Sequence, residues 1–153
     1  MNEVINEKLN DELDAFDWFA RRNDVDFSEL LGKTIVSIEG AEVENDIIKF
    51  VCSDGSVYFM YHERECCESV DIEDIAGDIQ DLIGSPITLA EETSNSDDGE
   101  QPDDWDDSWT WTYYKLGTVK GYVTIRWYGT SNGYYSEDVD FVRVVDAGGE
   151  TNE

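Results

Sequence analysis

The chain has 153 residues, of which 37 are acidic and ten are basic, so its formal net charge at pH 7 is -27. A small domain needs a net charge of magnitude only about 2–8 for solubility, and the excess destabilises the folded state through self-repulsion. The charge argues against direct binding to nucleic acid or to an anionic membrane, because both would repel the chain. Since 12% of the residues are aromatic and 40% are hydrophobic, the composition still predicts a folded core rather than disorder.

The sequence also indicates the cellular compartment in which the protein is expected. No stretch approaches the roughly 18 consecutive apolar residues of a membrane span, and the first residues lack the basic and apolar regions of a secretory signal. Cys52, Cys66 and Cys67 give an odd count, and the two neighbours would pair with each other only under strain. These features predict free thiols and a cytoplasmic location.

The first predicted element is an acidic, amphipathic helix over residues 3–22, within an N-terminal segment 1–25. Its apolar positions recur at helical spacing and are Ile5, Leu9, Leu13, Phe16 and Ala20. A second face carries carboxylates at steps of four and three residues: Glu3, Glu7, Asp11 and Asp14. Basic residues at 21 and 22 suit the last turn of a helix, where the dipole favours cations.

The following residues predict mostly strands. Period-2 patterns mark Thr34–Gly40, Asp46–Cys52 and Ser56–His62, and Asp54-Gly55 predicts a hairpin turn between the last two. Ser69–Ile72 is predicted as a short strand and Glu73–Ile83 as a helix, because Ile75, Ile79, Leu82 and Ile83 share a helical face and Gly84 suits the position after its end. Pro86–Ala90 then returns to strand.

The last part of the chain alternates between a charged loop and strands. Residues 91–108 hold nine Asp or Glu, one Pro and one Gly, which predicts an acidic loop. Alternating aromatic and β-branched residues then predict strands around 109–114, 122–128 and 139–144, followed by a disordered tail at 147–153. The predicted fold is α+β: a mostly antiparallel sheet of six to seven strands, with the N-terminal helix and a second short helix packed on it, forming a single domain over 26–146.

Two blocks of sequence resemble a known family. The first runs from Cys66 to Asp78 and from Asp81 to Ile87, and the second combines Trp111–Tyr114, Lys120–Trp127 and Ser131–Ser136. Together they resemble a family of small uncharacterised proteins found mainly in tailed bacteriophages and their prophages, with the likeness covering about residues 30 to 145. The resemblance implies a phage origin and action in the cytoplasm of a host cell. It assigns no activity and no catalytic residues, so the acidic helix and the acidic loop are where a particular role is expected.

The acidic residues are concentrated, with seventeen Asp or Glu and only one basic residue, Arg64, between positions 63 and 107. The even acidic coat of a protein from a salt-loaded cytoplasm would be spread more widely. On a helix, acids at i, i+4 and i+8 lie about 6 Å apart, which is close to the phosphate spacing along one nucleic-acid strand. The pattern therefore predicts mimicry of nucleic-acid charge. The predicted contacts are Glu3, Glu7, Asp11 and Asp14 of the helix and Asp97, Asp98, Glu100, Asp103, Asp104, Asp106 and Asp107 of the loop.

Metal binding and catalysis have weaker sequence support. His62, Cys66 and Cys67 lie close together and Cys52 precedes them on the partner strand, a residue set that zinc accepts. Adjacent cysteines in an extended chain point to opposite faces, however, so a buried thiol and a satisfied histidine are the favoured interpretation. A nuclease-like group at Asp71, Glu73, Asp74 and Asp78 lacks the basic surroundings that a nucleic-acid substrate needs. We therefore expect no enzyme activity, no cofactor and no metal.

The sequence predicts a phage-encoded acidic inhibitor of a basic, nucleic-acid-binding host protein, such as a CRISPR effector or a restriction enzyme. It predicts no direct nucleic-acid partner and leaves the oligomeric state open. Two alternatives stay open at this point. One is a non-enzymatic accessory or structural interaction protein whose charge only maintains solubility, and the other is a zinc-stabilised binding domain.

Overall fold

The computed structural model describes residues 2–18, 22–65, 67–96, 108–132 and 136–144. Over these residues the chain forms one α-helix, two 3-10 turns and nine β-strands. The helix is α1 (Asn2–Trp18), and the first and second 3-10 turns are Phe27–Leu30 and Ile79–Leu82. The strands are β1 (Arg22–Asp24), β2 (Ile35–Glu39), β3 (Ile47–Cys52), β4 (Val57–Tyr61), β5 (Ser69–Ala76), β6 (Leu89–Ser96), β7 (Ser108–Thr118), β8 (Gly121–Ser131) and β9 (Asp140–Val144).

The strands form two antiparallel sheets. One has five strands in the order β1-β9-β4-β3-β2, and the other has four in the order β5-β8-β7-β6. The α+β class and the antiparallel pairing are confirmed, whereas the prediction of one sheet of six to seven strands is wrong. Each sheet has an apolar face that must be covered by another layer, and here the two sheets cover each other.

The main core lies between the sheets. Phe50, Tyr58 and Met60 point inward from the five-stranded sheet, and Ile125 and Trp127 meet them from β8; all five side chains are fully buried. Alternation along each strand produces this arrangement, because every second side chain points to the same face. The opposite side of the five-stranded sheet therefore needs its own cover.

Helix α1 provides that cover. Its Leu9 and Leu13 are buried in a second apolar cluster with Ile47, Phe59 and Val142, whose side chains leave the outer face of the five-stranded sheet. The molecule thus has three layers, with α1 outermost, the five-stranded sheet in the middle and the four-stranded sheet on the other side. The predicted N-terminal helix and its packing on a sheet are confirmed.

The chain after α1 differs from the prediction. The helix was expected to reach residue 22, but the described helix ends at Trp18 and Arg22 begins β1, which pairs with β9. The Arg22 guanidinium turns back toward the helix, donating to the Leu13 carbonyl at 3.1 Å and to the Tyr61 hydroxyl at 2.9 Å. It therefore fastens the end of α1 to the sheet instead of extending the helix.

The predicted helix over Glu73–Ile83 is wrong. Strand β5 continues to Ala76 along β8, and only the second 3-10 turn, Ile79–Leu82, is helical in this stretch. Pairing with β8 satisfies the backbone over the first half of the segment, so it overrides the helical spacing of the isoleucines. Gly77, at φ 103°, then turns the chain out of the sheet.

The acidic stretch after position 90 begins as a strand, where the sequence predicts a loop. The expected strand at Pro86–Ala90 begins at Leu89 and runs on to Ser96, paired with β7 along its whole length. Residues 97–107 and the predicted tail at 147–153 lie outside the described residues. Within the part of the chain that the structure describes, no helix combines the length and apolarity required to cross a membrane.

Candidate functional site

Three of the four acidic residues predicted on α1 lie on its solvent side. Glu7, Asp11 and Asp14 are exposed, while the placement of the Glu3 side chain falls outside the described part. Asp14 is 78% exposed and lies 3.5 Å from Arg22, and Glu7 and Asp11 have no ion pair with any described residue. The outer face of α1 therefore presents two carboxylates that form no ion pair among the described residues.

The other predicted contacts lie outside the described residues, namely Asp97, Asp98, Glu100, Asp103, Asp104, Asp106 and Asp107. Strands β6 and β7, which flank this segment, belong to the four-stranded sheet, whereas α1 covers the five-stranded sheet. The described elements thus attach the two predicted acidic segments to different layers of the fold.

Most of the described basic side chains are held by the chain's own acids. Clear pairs are Lys33–Asp54 at 2.6 Å, Lys49–Glu12 at 2.8 Å, Arg126–Glu73 at 2.5 Å and Arg143–Glu29 at 2.5 Å. In the first of these, hydrogen bonds from Lys33 and Ser56 hold the pKa of the Asp54 carboxyl well below its usual range. Because the few cations are used internally, they leave the remaining acids to set the surface potential.

A cleft of about 430 Å³ opens beside β5, between this strand and the loop that joins β2 to β3. The walls carry three carboxylates, two hydroxyl groups and one phenol ring, from Glu44, Asp71, Glu73, Ser69, Thr130 and Tyr128. A smaller hollow of about 70 Å³ adjoins it, shares Ser69 and Asp71, and adds Asp46 and Arg64. Acids that are far apart in the sequence are therefore gathered at one concave surface.

The loop that carries Glu44 and Asp46 is fixed from two sides. Asn6 and Asn10 of α1 hydrogen-bond to Asp46, through its amide at 3.3 Å and its carboxylate at 3.4 Å. On the other side, the Glu44 amide donates to the Ile72 carbonyl of β5 at 2.8 Å. Glu44 has φ 79°, a left-handed conformation that costs a residue with a side chain about 1–2 kcal/mol. These contacts hold the loop in a strained shape that places Glu44 at the cleft and Asp46 at the adjoining hollow.

The pKa of Asp71 shows the electrostatic consequence of this arrangement of acids. Partial burial is the main cause that raises the pKa of its carboxyl, and the Asp46 carboxylate raises it further. Ser69 and Arg64 lower it, and Glu44 adds the weakest raising effect. The folded chain therefore holds these like charges close together in an environment that disfavours charge. A cation entering the cleft would relieve both effects.

A buried histidine–carboxylate pair lies under the smaller hollow. His62 Nδ1 is 2.7 Å from the Asp138 carbonyl oxygen, and its Nε2 is 2.7 Å from the carboxylate of Glu68, which also accepts from the Glu65 amide at 2.7 Å. Because a carbonyl oxygen only accepts, Nδ1 carries the hydrogen of the first bond, and the second bond shares a proton between imidazole and carboxylate. The two side chains are 5% and 0% exposed. The pair fixes the connection between β4 and β5, which forms one wall of the hollow.

The residues considered for zinc do not form a metal site in the described part. Cys52 is a free thiol buried in the main core, Cys66 lies outside the described residues, and Cys67 is in a disulfide. The expectation of free thiols is therefore wrong for Cys67, and a disulfide sulfur has no thiolate to offer a metal. Nowhere in residues 2–18, 22–65, 67–96, 108–132 and 136–144 do three or more His, Cys, Asp or Glu converge to hold an ion.

The acids considered for nuclease chemistry have separate local roles. Glu73 accepts from the Arg126 guanidinium at 2.7 Å, and Asp78 caps the second 3-10 turn by accepting from the Gln80 amide at 3.0 Å. Only Asp71 and Glu73 share the cleft. The structure thus keeps part of this cluster but gives it new neighbours, Glu44 and Asp46.

A family model described as a domain of unknown function, DUF7448, matches residues 28–141. The chain belongs to this family. No curated protein and no solved structure matches the chain. The DUF7448 region begins in the first 3-10 turn and ends in β9, so it contains the cleft beside β5 and excludes α1. The expected family membership is confirmed in this coarse form, and the phage origin stays a prediction.

Sequence reasoning missed Glu44 and Asp46 as site residues. They are two of several acids in a short connection, and nothing in their spacing indicates that the connection docks on β5, about 27 residues later in the chain. A local signal did exist at Gly40. Its carbonyl accepts a hydrogen bond from the Glu42 amide, so the chain turns sharply between these two residues. That signal predicts a tight turn but not the strand against which the turn packs.

Proposed function

We propose that this DUF7448 protein is a phage-encoded, non-enzymatic inhibitor that binds a basic, nucleic-acid-binding protein of the host cytoplasm. Its carboxylates take the place of phosphates in the partner's binding groove, and the partner belongs to a defence system such as a CRISPR effector or a restriction enzyme. The observation that carries the proposal is the concave surface made by the cleft beside β5 and its adjoining hollow. There Glu44, Asp46 and Asp71 are held close together, with one arginine, Arg64, among the described lining residues.

The physical reason is that this arrangement is unfavourable for the chain alone. Burial, and after it repulsion from Asp46, raises the pKa of Asp71, so the folded chain disfavours the charge of this carboxylate. A Lys or Arg side chain of a partner would convert this repulsion into charge-assisted hydrogen bonds. A net charge of -27 would also accelerate the encounter with a basic surface.

The exposed acids of α1 supply a second, separate patch. Glu7, Asp11 and Asp14 follow one side of the helix, as the mimicry model requires. Their position on the outer layer supports contact with a partner that extends beyond the cleft. The proposal therefore names the cleft as the principal contact and the outer face of α1 as an additional one.

The test compares two sets of neutral variants with equal change in net charge. In the cleft set, Glu44→Gln, Asp46→Asn and Asp71→Asn are combined, and in the helix set Glu7→Gln, Asp11→Asn and Asp14→Asn are combined. Each protein is immobilised and exposed to purified Cas9-type effectors and restriction enzymes at low and raised salt, with bound protein quantified. We expect wild type to bind at least one of these enzymes, to lose binding steeply with salt, and to lose more through the cleft set than through the helix set.

Other outcomes would overturn the proposal in distinguishable ways. Equal losses from the two sets would show that only the net charge matters and that the cleft has no specific role. Unchanged binding and unchanged inhibition with both sets would favour an accessory protein whose acids only maintain solubility.

A further inference from the structure

The two sheets have four edge strands, and three of them are protected in the described part of the chain. The edge of β5 is bonded to the preceding loop, since the Ile72 amide donates to the Asn45 carbonyl at 2.9 Å. The edge of β2 is covered by the segment after the second 3-10 turn, where the Gly84 amide donates to the Ile35 carbonyl at 2.9 Å. Strand β1 is only three residues long. Short or covered edges of this kind prevent pairing with other chains.

Strand β6 is the exception. It has eight residues and pairs with β7 along one side, and no described segment pairs with its other side. The side chains of residues 91–95 are all exposed. An edge of this length, left open, is a ready template for another strand.

The register shows which backbone groups face the open side. The two-residue turn between β7 and β8 makes Thr118 and Gly121 a hydrogen-bonded pair. The backbone amides and carbonyls of the even-numbered β7 residues therefore bond to β8, and those of the odd-numbered residues bond to β6. In the register of β6 with β7, odd residues lie opposite odd residues. The amides and carbonyls of Ala90, Glu92 and Ser94 therefore point away from β7, toward the open edge.

A cleft of about 380 Å³ lies at this edge, between residues 26–28 of the first 3-10 turn and residues 90–93 of β6. Two carboxylates border it, because Asp26 and Glu92 both line its walls. Partial burial raises the pKa of Glu92, the buried Tyr114 hydroxyl beneath it lowers the pKa, and Asp26 and Asp138 raise it again. The edge thus combines free backbone groups with two neighbouring acids, one of which is partly buried.

We propose that β6 is the docking edge for an extended, basic segment of a partner protein, which adds to the four-stranded sheet as a fifth strand. The backbone of the segment pairs with Ala90, Glu92 and Ser94, and one Lys or Arg of the segment lies in the cleft between Asp26 and Glu92. Strand addition takes its affinity from main-chain hydrogen bonds and its specificity from side chains at alternate positions.

The negative charge of the chain favours a basic segment over a second copy of the chain at the edge of β6. Pairing β6 with β6 of a second copy would oppose two chains of net charge -27 and place Glu91 and Glu92 of one copy close to those of the other. A basic segment instead brings the opposite charge to the same residues. The inference depends on the proposed function only for the basic character of the partner, since this edge is distinct from the cleft beside β5.

The test uses a synthetic peptide of about ten residues that alternates Lys with Thr, long enough to cover a strand of this length. The control peptide has the same sequence with methyl groups on alternate backbone nitrogens. We expect the first peptide to bind the full chain and to slow amide hydrogen exchange at Ala90, Glu92 and Ser94, while Glu91 and Thr93 change little. We expect the methylated peptide to bind at least about tenfold more weakly, because it lacks the donors for the ladder.

Protein variants separate the backbone contribution from the charge contribution. Ser94→Pro removes an amide that the β7 ladder does not use, so the fold is expected to tolerate it and peptide affinity to fall about tenfold, whereas Ser94→Ala leaves the affinity unchanged. Combining Asp26→Asn with Glu92→Gln is expected to weaken binding about three- to tenfold and to flatten its salt dependence.

Three results would overturn the inference. These are equal binding of the two peptides, exchange protection outside β6, and protection of Ala90, Glu92 and Ser94 that rises with protein concentration in the absence of peptide. The last result would assign the edge to a second copy of the chain. The variant Asp71→Asn is expected to leave peptide binding intact. It therefore distinguishes a failure of the proposed function at the cleft beside β5 from a failure of the proposed docking at β6.

Discussion

Replacing Glu44 by glycine is expected to stabilise the protein while weakening its binding to a basic partner. Glu44 is the one described residue other than glycine with a positive φ, at 79°. A side chain in the left-handed region costs about 1–2 kcal/mol, and glycine loses about 0.5–1 kcal/mol through the greater freedom of its unfolded chain. The difference predicts a gain of about 0.5–1 kcal/mol in the free energy of unfolding for Glu44→Gly.

The Glu44 carboxylate adds to this effect in the same direction. It is one of the charges that raise the pKa of Asp71, so its removal relieves repulsion in the folded state. A chain of this size shifts its melting temperature by about 2–4 °C per kcal/mol, which gives a rise of about 1–4 °C from the backbone effect alone. Urea denaturation at pH 7, followed by fluorescence of the tryptophans, measures the change in free energy directly.

The matched control is Glu44→Gln, which removes the charge and keeps the strained backbone. The stability difference between the two variants isolates the backbone contribution, and their shared loss of partner binding isolates the carboxylate. If Glu44→Gly is less stable than Glu44→Gln, the conformation at this position is not strained and the loop is not held by the contacts described above. If both variants bind basic enzymes as wild type does, the cleft is not the contact surface.

Three further changes test the surroundings of the cleft and the fold. Burial is the main cause of the raised pKa values of Asp71 and Asp140, so above an ordinary Asp pKa of about 3.9 the folded state binds more protons than the unfolded state. Stability should therefore fall as pH rises from about that value, and calorimetry from about pH 4 to about pH 7 should show a smaller fall for Asp71→Asn. Glu68→Ala leaves His62 buried without its partner and should cost about 3–5 kcal/mol in urea denaturation, with a smaller cost for Glu68→Gln, which retains an acceptor. Gly77→Ala would place a Cβ 2.3 Å from a backbone carbonyl oxygen of β8 at φ 103°, so circular dichroism should show a melting temperature lowered by several degrees, whereas an unchanged value would mean that the turn relaxes freely.

Local pattern was sufficient for some elements and insufficient for others. The strands β3 and β4 and the Asp54-Gly55 turn between them follow from period-2 alternation and a strong turn pair, and the structure confirms them within one or two residues. The segment after Glu73 has apolar residues at helical spacing as well, but pairing with β8 makes its first half a strand. The division into two sheets depends on which distant strands pair, and alternation within each strand does not determine that.

The candidate site was predictable only where neighbours in sequence are also neighbours in space. The face of α1 that carries Glu7 and Asp11 follows directly from helical geometry, and the structure places both side chains in solvent. The cleft beside β5 depends on long-range docking of the loop that carries Glu44 against the backbone of Ile72. Charge counts therefore identified an acidic protein, whereas only the fold shows which acids are brought together.

The acids of this chain fall into two groups with different effects on folding. Those paired with internal cations, such as Asp54 with Lys33 and Glu29 with Arg143, connect separate elements of the fold. Those around the cleft beside β5 and along the edge of β6 repel their neighbours, and the raised pKa values of Asp71 and Glu92 show that folding disfavours their charge. Stability alone gives no reason to place carboxylates there. The proposed function supplies a reason, because a basic partner that bound there would release the repulsion that weakens the free protein.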